Sequence, residues 1–131
     1  MFRKRVIIAD SSQSLLEGIR GLLETAFDLV TMVADVDSLI DAAEKLSADM
    51  VVIDLSLDAR HEAGAVRTIK SRFPDLKVVV LSIHDETAAR KRALEAGAEG
   101  FVLKRDAATD LLPAVEAVLA GGTYSSALQG G

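Results

Sequence analysis

The sequence predicts an α/β fold, a (βα)5 arrangement closed into a doubly wound parallel five-stranded sheet of order 2-1-3-4-5. Three observations carry this. Short apolar runs alternate with helix-period segments along the whole chain. Two of those runs, Val51–Ile53 and Val78–Leu81, lack polar alternation, as central parallel strands covered on both faces do. Helix-stop signals, Phe73-Pro74, Gly97 and Gly121-Gly122, close three of the helical segments. Right-handed crossovers between the strands then give the doubly wound sheet and its strand order.

The elements follow in turn. "RVIIA" is a short β-branched run, and "SLLEGIRGLLETAF" sets Leu15, Leu16, Ile19, Leu22 and Leu23 on one helical face. "LVTMVA" is the second strand and "SLIDAAEKL" the second helix. "MVVID" is a strand that is apolar on both faces until it meets Asp54. The third helix, near 63–72, stops at Phe73-Pro74. "KVVVLS" is again all apolar up to Ser82, and "ETAARKRALEA" is a helix capped by Gly97. "GFVLK" is the last strand. "LLPAVEAVLAGG" brings Leu111, Leu112, Val115, Val118 and Leu119 to helical spacing. Pro113 suits only a first helical turn, so this helix is expected to start late, near Asp110, or irregularly. The small, polar tail "GGTYSSALQGG" is expected to fray.

The chain has 131 residues, half of them apolar, which is one domain with a real core. A net charge of −5 argues against a nucleic-acid-binding surface on this segment. Cysteine is absent, which excludes disulfides and thiolate metal sites and suits a reducing compartment. No apolar run approaches the roughly 18 residues of a membrane span, and the run after the basic N-terminus, Val6–Ala9, is too short for a signal-peptide core. The expectation is a cytoplasmic protein with no membrane segment.

In open parallel sheets ligands sit outside the carboxyl ends of the strands, beside the switch in strand order. Asp10 ends strand 1, Asp54 strand 3, Ser82 strand 4 and Lys104 strand 5. Each alone is commonly a turn residue or a helix cap; the topology brings all four to one rim. Two carboxylates with backbone and water oxygens suit Mg2+. A carboxylate can also be a nucleophile toward phosphorus, with the cation and the lysine neutralising phosphoryl oxygens.

These residues resemble the receiver domain of two-component response regulators, flavodoxin-like in fold, and in particular the NarL/FixJ-like (LuxR-type transcriptional regulator) group. The likeness runs through "VIIAD", "LLEGIRGLLE", "VVIDLS", "VVVLSIHDE", "RALEAGAEGFVLK" and "AVLAGGTY". It implies Asp54 as the phosphoacceptor, Lys104 as the phosphate-pairing lysine and Ser82 as the switch hydroxyl. Phe101 becomes the switch aromatic that turns inward as the loop at 82 moves. Mg2+ would be held by Asp10, Asp54 and the backbone carbonyl of Ser56. The signalling surface would be the face of helix 4, strand 5 and helix 5. Implied partners are a sensor histidine kinase, a second copy of the chain in a homodimer, and DNA only through an output domain not present in this chain. Residues 1–122 would be the receiver domain, and 123–131 a tail or the start of a linker to that output domain. No separate enzymatic activity is implied beyond self-phosphorylation and autodephosphorylation at Asp54.

Departures from the family pattern bear on this. Ser11 stands where the family has a second acid after strand 1, which weakens the Mg2+ site: two unit charges at 4 Å interact by about 4 kcal/mol at an effective dielectric of 20. Asp58 holds the usual proline position and Glu62 the usual glycine position in the loop after Asp54. Asp58 or Glu62 could restore the missing acid; as plain loop charges they would be solvated. A pseudo-receiver, acting by dimerisation or partner binding without phosphorylation, is the alternative that Ser11, Asp58 and Glu62 support. A flavin carrier lacks support: "DSSQSLL" has no glycine, and the chain has no Trp and only Tyr124. A haloacid-dehalogenase-type phosphatase would want an acid where Ser56 stands. His61 and His84 have no metal partner at ligand spacing, and Arg90, Lys91 and Arg92 form a solvated helix face.

Overall fold

The computed structural model describes residues 4–10, 13–55, 64–83 and 87–125, with the side chains of 13–16 and 87 left out. Its elements are β1 (Arg5–Ala9), α1 (Gln13–Leu23), β2 (Leu29–Val33), α2 (Val36–Leu46), β3 (Met50–Asp54), α3 (Gly64–Arg72), β4 (Lys77–Ser82), α4 (Thr87–Glu95), β5 (Gly100–Leu103), α5 (Ala107–Leu119) and β6 (Tyr124–Ser125). A 3-10 turn, Lys104–Asp106, joins β5 to α5. The sheet order is β2-β1-β3-β4-β5-β6, parallel at every pairing. The expected order 2-1-3-4-5 is therefore present, extended by one short strand.

Alternate residues of each strand enter opposite apolar layers, the period-2 consequence of the pleat. Ile7, Val51, Ile53, Val78 and Val80 pack with Leu39 and Ala43 of α2, Val66 and Ile69 of α3, and Ala93 of α4. Val6, Ile8, Val52, Val79 and Leu81 pack with Ile19 and Leu23 of α1 and Leu111, Val115 and Val118 of α5. Both faces of β3 and β4 are covered, and every residue of β3 is buried. That is why these strands carry no polar alternation.

The helix ends follow local chemistry. The Asp35 side chain accepts from the Ser38 N–H at 2.7 Å and caps α2, whose far end turns through Ser47 at φ 50°. Gly97 follows α4 at φ 110°, where a Cβ would stand 3.0 Å from Lys70 Cγ. Lys70 Nζ donates to Glu99 Oε2 at 2.6 Å and to the Leu76 carbonyl at 2.9 Å, while Glu99 Oε1 accepts from the Val78 N–H at 2.9 Å. This network ties α3 to the starts of β4 and β5.

Two expectations change. The last helix does not start late, near Asp110: α5 begins at Ala107 and carries Pro113 in its interior, while its uncapped entry through the 3-10 turn is the irregular start, the other expectation. Leu111, Ala114, Val115 and Val118 are all buried. Burying a Leu or Val side chain contributes about 1.5–3 kcal/mol, which together outweighs the roughly 3 kcal/mol cost of an interior proline. Pro113 and Thr109 are both exposed residues, and the Thr109 carbonyl is the one that loses its helical donor. The tail does not fray at once either. Tyr124 and Ser125 pair with Gly100 and Phe101 of β5. Residues 126–131 lie outside the described part.

Candidate functional site

Asp10, Asp54 and Ser82 are the polar side chains the fold buries, at 0, 1 and 1% exposure, among the described residues. All three sit at the carboxyl ends of neighbouring parallel strands, where the sheet order turns. Burying an ionised carboxylate costs several kcal/mol unless it is paired, so their presence there asks for a partner. Lys104 supplies it. Its Nζ donates to Asp54 Oδ2 at 2.7 Å and lies 3.2 Å from Asp10 Oδ2.

Each member is held by backbone. The Asp10 N–H donates to the Val33 carbonyl at 3.1 Å, fixing the turn out of β1 against the end of β2. Asp54 is the last residue of β3 and pairs with Leu81 of β4. Ser82 ends β4 and pairs with Leu103 of β5, and Lys104 follows in the 3-10 turn. Phe101, two residues before Leu103, is fully buried in the layer under α3 and α4 and pairs with Val80.

The Lys104 side chain is 13% exposed. Its burial works to lower the ammonium pKa, but the hydrogen bonds and charges of Asp54 and Asp10 outweigh that, and the net shift is upward from the ordinary lysine value. The site is thus two buried carboxylates sharing one firmly protonated ammonium. The carboxylates carry more charge than the lysine neutralises, and both reach a single nitrogen. Such an oxygen donor set fits a hard divalent cation. Among the described residues no group of three or more His, Cys, Asp or Glu side chains gathers into a metal-binding cluster.

A cavity of about 240 Å3 opens beside this rim, lined by Ile19 and Leu22 of α1, Lys104, Arg105, Ala107 and Ala108. Lys104 brings Asp10 and Asp54 together, and Ser82 ends the adjacent strand β4 at the same rim. Ser11, Ser56, Asp58 and Glu62, with His61 and His84, lie outside the described residues. Lys91 and Arg92 are exposed and Arg90 half-exposed on α4. The sequence offered no sign of two contributors. The Val33 carbonyl is a backbone group, and Tyr124 docks through a strand too short to show a period.

Comparisons with known proteins agree with this geometry. The response regulator receiver domain family matches residues 6–116. The transcriptional regulatory protein DegU of Brevibacillus brevis is 34% identical over 122 residues, covering 92% of this chain and 52% of DegU. The transcriptional regulatory protein RcsB of Escherichia coli K12 is 33% identical over 130 residues, covering 95% of this chain and 60% of RcsB. The chain thus spans a little more than half the length of these curated relatives. The isolated REC domain of RcsB from Salmonella enterica serovar Typhimurium, solved with the phosphomimetic BeF3−, superposes with a TM-score of 0.82 at 32% identity. That match covers 95% of this chain and 94% of the other.

Proposed function

The chain belongs to the response regulator receiver domain family, and from that premise we propose that Asp54 is the phosphoacceptor of a two-component switch. Receiver domains are signalling modules rather than enzymes, and the chemistry proposed here is a single transfer onto the chain itself. The observation that carries the reading is the Lys104 ammonium held 2.7 Å from Asp54 and 3.2 Å from Asp10 at the ligand rim of the sheet.

A carboxylate oxygen of Asp54 attacks the phosphorus of a phosphohistidine on a sensor histidine kinase. The P–O bond forms as the P–N bond breaks, and the imidazole nitrogen leaves with the bonding pair and takes a proton. Lys104, kept protonated by its two carboxylate partners, turns to the phosphoryl oxygens and neutralises charge that develops there. The Ser82 hydroxyl, buried at the end of β4, donates to a phosphoryl oxygen, and Phe101 behind it senses the movement of the segment after β4. Asp10, Asp54 and the Ser56 carbonyl would hold Mg2+, which when bound screens the phosphoryl oxygens as a Lewis acid. Ser11 in place of a further acid makes that site weak. Whether Asp58 or Glu62 compensates is tested by Mg2+ affinity in Asp58→Ala and Glu62→Ala; an unchanged value in both removes them from the site.

Under this reading the switch acts in the cytoplasm, on transcription, as a homodimer of the chain, with DNA contact made only through an output domain. The regulator names of DegU and RcsB support that direction. Incubation with acetyl phosphate and Mg2+ followed by intact mass is the test. One phosphoryl adduct on the wild type and none on Asp54→Asn is the expected result; an unmodified wild type overturns the reading.

A further inference from the structure

The sheet edge at β5 carries a strand that the chain makes from its own residues after α5. The Tyr124 N–H donates to the Glu99 carbonyl at 3.1 Å, and the ladder sets Tyr124 beside Gly100 and Ser125 beside Phe101. Tyr124 packs against the apolar layer of α1 and α5. Burial first, and then the charges of Asp110 and Asp106, push its phenol up from the ordinary value.

β5 has only four residues and leads directly into Lys104. One short strand therefore carries the site lysine at its end, the buried Phe101 in its body and β6 on its open edge. Its other edge is held along all four residues by β4, from Val79↔Gly100 to Ser82↔Leu103. The β6 side is held by two. When β5 shifts along its axis, the two-residue pairing is the one that gives.

We propose that β6 is a detachable strap whose hold on β5 is coupled to the charge on Asp54 through Lys104. This deepens the phosphoacceptor reading and rests on it for its biological trigger. Lys104 now points back onto Asp54 Oδ2 and Asp10 Oδ2. A phosphoryl group on Asp54 places new anionic oxygens beyond the strand ends and takes the ammonium off Asp54 Oδ2. Lys104 draws β5 toward its carboxyl end, and the Tyr124–Glu99 bond at the far end of the pairing lengthens. Asp54→Ala removes the Oδ2 acceptor altogether and unties Lys104, and with it the end of β5, from Asp54 without phosphoryl chemistry.

Amide exchange at Tyr124 in the 131-residue chain reads the strap directly, and Tyr124, as the one Tyr in a chain without Trp, adds a fluorescence readout. The Asp28 amide, bonded to the Lys4 carbonyl at the opposite edge, controls for global opening. In Asp54→Ala, and in the wild type with beryllofluoride and Mg2+, Tyr124 exchange rises about fivefold or more, a coupling at the low end of allosteric effects, while Asp28 exchange stays unchanged. An unchanged or slowed Tyr124 rate in Asp54→Ala, or a rise that Asp28 shares, overturns the strap whatever beryllofluoride does. A rise in Asp54→Ala with no response to beryllofluoride supports the coupling and counts against Asp54 as phosphoacceptor. The two ideas therefore fail separately.

Discussion

Lys104 Nζ stands 2.7 Å from Asp54 Oδ2, fifty residues away in sequence, and is shared with Asp10 Oδ2 at 3.2 Å. One ammonium thus serves two buried carboxylates, and the charge excess at the rim is negative.

That excess orders the effects of mutation. Lys104→Met leaves two carboxylates facing each other without a cation, and breaking a buried pair in this way costs about 3 kcal/mol. Asp54→Asn or Asp10→Asn leaves one carboxylate with one ammonium. It removes a like-charge repulsion along with a bond, so it changes stability by less than about 1 kcal/mol or raises it. Urea denaturation at neutral pH decides the matter: an Asp54→Asn variant less stable than Lys104→Met contradicts the charge count.

The same pair sets an alkaline limit. The Lys104 pKa is raised in the fold above the ordinary 10.5. Its ion pairs therefore stabilise fully below pH 10.5 and are lost as pH rises through the higher folded value. The stability gap between wild type and Lys104→Met is expected to be flat from pH 8 to about 10.5 and to narrow above it. A gap that narrows toward acid pH within that range would assign the stabilisation to another group.

Pro113 is tolerated inside α5 because the buried face of the helix holds it there. Pro113→Ala restores an N–H for the Thr109 carbonyl on an exposed face, and the gain, net of the extra freedom of the unfolded chain, is about 1–2 kcal/mol. A thermal midpoint that fails to rise shows that the bond is already replaced by water at no cost.

Gly97 has both the left-handed backbone and the close neighbour that exclude a side chain. With φ at 110° and Lys70 Cγ 3.0 Å from the position of a Cβ, Gly97→Ala strains the turn and presses on the Lys70–Glu99 pair. We expect a loss of about 1–2 kcal/mol, read in the denaturation midpoint. Gly18→Ala serves as the control, since its Cβ would meet nothing within 4 Å in the middle of α1.

Much of the fold was legible because its signals are local. Unbroken runs such as Val51–Ile53 mark strands covered on both sides, and parallel strands of that kind force the strand order and its ligand rim. Asp10, Asp54, Ser82 and Lys104 could be named because each ends a strand. The late start near Asp110 that Pro113 suggests does not occur, because Pro113 is a local signal that the burial of Leu111, Val115 and Val118 overrides; only the irregular entry does. β6 was missed because two residues carry no period, and its docking depends on an edge of β5 more than twenty residues earlier.

By itself, then, the sequence determined the alternation of strands and helices, the sheet order, and which four side chains meet at the rim, since these follow from hydrophobic period and chain chirality. Only the tertiary structure decided that Lys104 bridges both carboxylates, that Phe101 lies fully inward, that α5 runs through its proline and that Tyr124 closes the β5 edge. Those outcomes are set by packing and pairing between segments far apart in the chain, where the energy of one local preference is small beside the sum of the contacts around it.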